Sequence, residues 1–229
     1  MTSISTNLQA VRDRIRAAAQ ACGRGPEEVV LLAVSKTWPA EAVRAAAAAG
    51  QRAFGENYVQ EGCAKAEGLA ELGLEWHFIG PLQSNKTRQV AMHFDWVHSI
   101  DRLKIAERLS AQRDVHRPPL NVCIQVNVSG EASKSGVAPA DAAALAQAVA
   151  GLPRLRLRGL MCIPEPTDDP ALLAARFGVL GELRARLAGE GLALDTLSMG
   201  MSHDLEAAIA AGSTMVRVGT AIFGERRQA

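Results

Sequence analysis

Residues 29–50 read VVLLAVSKTWPAEAVRAAAAAG. From Val29 to Val34 every residue is apolar and several are β-branched, the pattern of a strand buried on both faces. Pro39 then stands where a helix begins, alanines carry it to Ala49, and Gly50 stops it. A continuous apolar strand followed by a helix is the unit of a parallel sheet covered on its outer face.

The unit recurs along the chain. Strands are expected at Arg52–Phe54, Trp76–Ile79, Phe94–Ser99, Leu120–Val128, Leu155–Met161, Ala193–Ser198 and Thr214–Val218. Between them helices are expected at Asn57–Leu72, from Ser84, and at Arg102–Gln112, Pro139–Ala150, Ala171–Ala188 and His203–Ala211, with a short one closing the chain. An extra helix is expected over residues 4–21. Eight strands alternating with helices in 229 residues fit a (β/α)8 TIM barrel occupying residues 1–229 as a single domain. A doubly wound open sheet is the alternative.

Composition narrows the function. Lys plus Arg is 25 and Asp plus Glu is 24, a net charge of +1, which argues against broad attraction to nucleic acid or an anionic membrane. No apolar run approaches the ~18 residues of a membrane span. The N-terminus lacks the pattern of a signal peptide, so a cytoplasmic protein is expected. Cys22, Cys63, Cys123 and Cys162 are widely spaced, with no CxxC pair, and read as reduced thiols rather than a zinc site or disulfide framework.

In a parallel barrel chemistry gathers at the C-terminal ends of the strands. The first strand ends in Ser35–Lys36–Thr37, and a lysine directly after an apolar strand is unlike a freely solvated charge. If desolvated it loses its proton more readily, and the neutral amine can form a Schiff base with an aldehyde. Pairing with Glu56, or snorkelling to water, is the competing reading. The seventh strand leaves through Ser198–Met199–Gly200–Met201–Ser202 and the eighth through Gly219–Thr220, the two loops where barrels often seat phosphate. Arg217, set among Met215, Val216 and Val218, is either a structural arginine paired with a carboxylate or a fixed cation beside a ligand nitrogen. A lysine anchor, a phosphate seat and an arginine donor together point to pyridoxal 5′-phosphate (PLP). An arginine cannot accept the ring proton, so the ring is weakened as an electron sink. His77 either lines the pocket or is a satisfied barrel histidine. Asn57 either meets the ring's phenolic oxygen or caps its own helix. Arg154, Arg156 and Arg158 read as a solvated strand edge. Lys86 and Arg88 form a small basic cluster at the rim, and Lys134 lies in a polar loop within reach of the mouth.

These residues resemble the pyridoxal-phosphate homeostasis protein family, small single-domain relatives of the alanine racemase barrel. The matching segments are LLAVSKTWP (31–39), FGENYVQE (54–61), WHFIGPLQSNK (76–86), QVNVSGEASKSG (125–136), GLMCIP (159–164), LSMGMSHDL (197–205) and VRVGTAIFGER (216–226). The resemblance implies an alanine-racemase-like barrel with PLP held as a covalent aldimine on Lys36. It implies phosphate contacts from Ser198, Gly200, Gly219 and Thr220, and Arg217 at the ring nitrogen. Asn57 and His77 match family pocket positions. A common form of the seventh-strand motif has Asp at the position of His203, one step outside the expected phosphate cradle.

The resemblance implies a non-catalytic carrier that balances vitamin B6 and amino-/keto-acid pools, passing cofactor to PLP-dependent apoenzymes. The alternative is an amino-acid racemase or decarboxylase. A racemase needs two bases on opposite faces of the substrate Cα. The chain has one tyrosine, Tyr58, beside Asn57, and no segment after residue 220 long enough for the racemases' second domain, so a monomer without turnover is expected.

Overall fold

A computed structural model of the chain describes residues 3–130 and 135–225. Lys134, expected in a polar loop within reach of the mouth, lies outside the described residues. The elements follow the expected alternation. An N-terminal helix, α1 (Ile4–Ala21), precedes β1 (Val30–Val34), α2 (Ala40–Ala48), β2 (Ala53–Glu56), α3 (Val59–Gly68) and β3 (Glu75–Phe78). Then come α4 (Thr87–His93), β4 (Trp96–Ile100), α5 (Leu103–Gln112), β5 (Leu120–Gln125), α6 (Pro139–Ala150) and β6 (Leu155–Met161). The chain continues through α7 (Pro170–Gly189), β7 (Thr196–Ser198), α8 (Leu205–Ala210), β8 (Met215–Val218) and α9 (Thr220–Phe223). Each strand pairs in parallel with the next, and β8 closes on β1 in the register Val30 opposite Met215 to Ala33 opposite Val218. The sheet is therefore a closed barrel, not an open one.

Several boundaries are tighter than the sequence pattern. The apolar run LNVCIQVNV pairs as a strand only to Gln125, after which Val126 bridges to Val137. The helix expected from Asn57 begins at Val59 and ends at Gly68. A short 3-10 turn and Gly73, in the left-handed region at φ 58°, follow it. The helix expected from His203 begins at Leu205, because the Asp204 carboxylate folds back to accept the Met201 N–H at 2.5 Å and occupies residues 202–204 in a turn.

The largest apolar core lies between the barrel and its helices. Inside the barrel, Leu32, Val34, Ala53, Ile79 and Met215 fill one sector, and Trp96, Cys123 and Met161 a smaller one. The rest of the interior is polar: His77, His98, Ser198 and Arg217 are all buried there. In this outer ring α1 does the work that α9 is too short for. It packs against α8, α9 and α2, with Leu8, Val11 and Ile15 buried, and covers the seam where β8 meets β1. Among the described residues no helix is long and apolar enough to cross a membrane, and no group of His, Cys, Asp or Glu could hold a metal ion. Cys63, Cys123 and Cys162 are free and buried. Burial pushes their thiols up to about 11, 12 and 12, so they act as small apolar residues.

Candidate functional site

At the C-terminal mouth of the barrel a cavity of about 180 Å³ is bounded by Lys36, Asn57, Ile79, Ile163, Arg217, Gly219 and Thr220, with residues 201–203 on one side. Lys36, Asn57, Arg217, Gly219 and Thr220, all drawn from the sequence, thus meet around one space. Parallel strands bring them there by ending on the same rim.

Lys36 sits two residues beyond β1 and is half-buried. The alternative of a pair with Glu56 does not hold: Glu56 takes Lys65 Nζ and the Ser35 hydroxyl, at 2.7 and 2.6 Å, on the outer side of the sheet. Asn57 follows β2, and its Oδ1 is buried without a hydrogen-bond partner among the described residues. It does not cap its helix; Tyr58 holds the N-cap position of α3. Gly80 fixes Asn57 from behind, since a Cβ there would meet the Asn57 carbonyl oxygen at 2.3 Å.

Arg217 is fully inside the barrel, on β8. Its Nη1 donates to the Ser198 carbonyl and hydroxyl oxygens at 2.6 and 2.8 Å, and its Nη2 to the Cys162 carbonyl at 2.8 Å. That leaves the Nε–H and the second Nη2–H, on a side chain that borders the cavity. Burial lowers the guanidinium's affinity for its proton, opposed by Cys162 and Asp204. Among the described residues no carboxylate pairs with it directly; of the two readings of Arg217, the structural ion pair does not appear there, and the cation is held on two carbonyls and the Ser198 hydroxyl.

Ser198 and His77 do not border the cavity. Ser198 shares the inward parity of β7, and its hydroxyl is spent on Arg217 and on His98 Nδ1, at 2.9 Å. His77 lies one inward layer below Ile79, fully buried, with Nδ1 2.9 Å from His98 Nε2 and Nε2 2.7 Å from Glu75 Oε1. Its ring stacks on Trp96 at 5.2 Å between centroids. In this structure the Ser198 hydroxyl supports Arg217 directly, and His77 does so through His98. Gly200 is also set back: at φ 97° it makes the turn, and a Cβ would meet Ala208 Cβ at 2.5 Å. The residues it delivers to the rim are Met201, Ser202 and His203. His203, placed outside the cradle by the sequence pattern, is exposed but borders the cavity.

The chain Glu75–His77–His98–Ser198–Arg217, exposed at Glu75 and buried from His77 onward, has one consistent order of protons. The His77 hydrogen bond lowers the Glu75 carboxyl below its ordinary range, so the carboxylate accepts from His77 Nε2. His77 Nδ1 must then accept from His98 Nε2–H, and His98 Nδ1 from the Ser198 hydroxyl, whose lone pairs face Arg217. Burial holds both imidazoles neutral, His98 well below its usual range and lowered further by His77 and Arg217. No sequence spacing announces this chain. Period-two alternation would have put Ile79 at the mouth above His77, but His98 and Ser198 meet only once the barrel closes.

The fold is that of a racemase-type barrel: the model of the alanine racemase N-terminal domain matches residues 6–227. An alanine racemase of Clostridium difficile 630, 12% identical, shares the fold with a TM-score of 0.76 over 99% of this chain and 57% of its own. The chain is 65% identical over 226 residues to a pyridoxal phosphate homeostasis protein of Pseudomonas aeruginosa, covering 99% of this chain and 97% of that protein. It is 60% identical to the one of Escherichia coli K12, covering 99% and 98%. PipY of Synechococcus elongatus PCC7942, solved with PLP bound, is 40% identical with a TM-score of 0.85, covering 97% of this chain and all of PipY. This chain belongs to the pyridoxal phosphate homeostasis protein family.

Proposed function

We propose that the protein binds PLP as a Schiff base on Lys36 and serves PLP homeostasis as a carrier without turnover of its own. The observation that carries this reading is the convergence of Lys36, Asn57, whose amide oxygen is buried without a partner among the described residues, and the Arg217 guanidinium on one cavity. PipY, solved with PLP, supports it from outside. Loading is a condensation: the neutral Lys36 amine attacks the cofactor's aldehyde carbon, the C=N bond forms, and the carbonyl oxygen leaves as water with both amine hydrogens. When bound, PLP supplies an electron-withdrawing ring conjugated to that C=N bond.

The chain's own residues do the rest. Arg217 can only donate, so it holds the ring nitrogen unprotonated. The Asn57 amide meets the phenolic oxygen. Ser202, Gly219 and Thr220 offer hydroxyl and backbone groups to the phosphate, with Gly200 setting the turn. Tyr58, the chain's one tyrosine, is 56% exposed and outside the cavity, so it supplies no second base at Cα. The reading extends to a cytoplasmic monomer of one domain that yields PLP to apoenzymes. His203 at the cavity edge is the observation that favours the alternative, a second acid–base group for racemisation.

Two measurements test this. Borohydride reduction of the PLP-loaded protein, followed by peptide mapping, should place the label on Lys36, and Lys36→Ala should abolish it. A label on another lysine overturns the anchor. Incubation with amino acids in D₂O should leave the Cα hydrogen unexchanged; exchange removed by His203→Asn would establish turnover instead.

A further inference from the structure

Behind Lys36, on the outer side of the sheet, lies a second polar cluster that the cavity does not use. Lys65 on α3 is buried, and its ammonium donates to Glu56 Oε1, Glu61 Oε1 and the Ser35 carbonyl, each at 2.7 Å. All three ammonium hydrogens are thereby used. Glu56 is wholly buried and also accepts from the Ser35 hydroxyl. Glu61 Oε1 further accepts the Thr37 backbone N–H at 2.6 Å. Close approach of α3 makes this reach possible: Gly62 packs on β2 where a Cβ would meet Phe94 Cζ at 2.5 Å. The cluster therefore grips Ser35 and Thr37, the two neighbours of Lys36.

The backbone between them is under strain. Trp38 N–H bonds the Ser35 carbonyl at 3.1 Å, so residues 35–38 form a turn with Lys36 and Thr37 at its centre. Thr37 has φ 66°, the left-handed region that such a third turn position normally gives to glycine. A β-branched residue is strained there and persists only where its surroundings enforce it. The bond from Thr37 N–H to Glu61 is the enforcing contact.

We propose that Glu61 and Lys65 are positioning residues that hold the strained Ser35–Trp38 turn and so aim Lys36 into the cavity. The cofactor arm of the test rests on Lys36 as the PLP anchor; the orientation of Lys36 does not.

The test is competitive trace acylation of the full-length protein without PLP, reading Lys36 against the exposed Lys104 on α5. In Glu61→Ala the reactivity of Lys36 relative to Lys104 should move at least threefold, toward the value of a solvated lysine. Glu61→Gln keeps an acceptor for Thr37 N–H and should stay near wild type. Thr37→Gly added to Glu61→Ala should restore the wild-type ratio, because glycine holds φ 66° unaided. A role confined to stability would lower the melting temperature without this suppression. Loss of PLP retention should follow the same order across the variants. An unchanged Lys36 in Glu61→Ala, or no rescue by Thr37→Gly, overturns the proposal. If wild type forms no reducible PLP adduct, the anchor reading fails while the acylation ratios still decide this one. Should Glu61→Ala not fold, Glu61→Asp, shorter by one methylene, carries the same comparison.

Discussion

Arg217 spends three N–H bonds on the protein before any remain for a ligand. Its planar fork reaches Ser198 on β7 and Cys162 after β6 through two separate nitrogens, Nη1 and Nη2, and a shorter side chain ending in one nitrogen does not reproduce that spread. Arg217→Lys should keep the positive charge and lose at least one of those carbonyl contacts. A stability loss of about 1–3 kcal/mol is expected, with weaker PLP retention. Urea melts and a PLP titration check both, and wild-type values in the two assays would remove Arg217 as a shared structural and binding group. At this scale the sequence was informative wherever chemistry sat on a strand end. Lys36 and Arg217 stood out because charge follows or interrupts an apolar run. Ser198 and His77 carried the same kind of signal but face inward one layer too deep to reach the mouth. Glu61 and Lys65 gave none, since a Glu–Lys pair four apart on a helix is ordinary surface chemistry until tertiary contact turns it on a strand-end turn.

Between elements, β3, β4, β7 and β8 share the line from the exposed Glu75 through the buried His77, His98 and Ser198 to Arg217. Its two histidines couple stability to pH. Burial is the first cause of depression for each, so the folded protein keeps them neutral where the unfolded chain, near the ordinary value of 6.5, already binds protons. The unfolded state then holds more protons below that value, and stability must fall as pH drops from about 6.5 toward the folded values. Each histidine contributes at most about 1.4 kcal/mol per pH unit within that window. Glu75, depressed by its bond to His77, adds loss in the same direction only below about pH 4.5. Urea midpoints at pH 7.5, 6.5 and 5.5 should be flat over the first step and fall over the second. His98→Asn should take away up to half of that fall. A protein equally stable at pH 5.5 and 7.5 would show that these imidazoles take up protons in the folded state as readily as in the unfolded chain. Element order was legible because strand and helix periods differ, while the ends of β5, β7, α3 and α8 were not. The ends of β5 and α8 are each set by one tertiary or turn contact: Val126 to Val137 and Asp204 to Met201.

For the molecule as a whole, the open-sheet alternative could be dismissed only by closure, because strand and helix patterns are the same in both architectures. What completes the closure comes from the far end of the chain. α9 is four residues long, so α1 fills the gap in the outer ring, and side chains tie the seam: Asn7 on α1 to the Ile222 carbonyl at 2.9 Å, and Arg24, three residues past the end of α1, to the Ile209 carbonyl at 3.0 Å. Arg14 is different from these, because it reaches the site. Its Nη2 donates to the Ser202 carbonyl at 3.1 Å while its Nε and Nη2 hold the Glu206 carboxylate. Ser202 borders the cavity, so α1 braces the turn that Gly200 and Asp204 shape from within. The exposed ion pair with Glu206 is worth little to stability, of order 0–1 kcal/mol. Arg14→Ala should therefore leave the urea midpoint nearly unchanged while loosening residues 201–203. A rise in the PLP dissociation constant of about three- to tenfold is expected, equivalent to roughly 0.7–1.4 kcal/mol. Inorganic phosphate, as a competitor of PLP, should weaken in parallel, because the loss is at the phosphate end; pyridoxal, which lacks that group, should bind both proteins alike. If pyridoxal weakens as much as PLP, the brace acts on the ring or on Lys36 and the phosphate seat lies elsewhere on the rim.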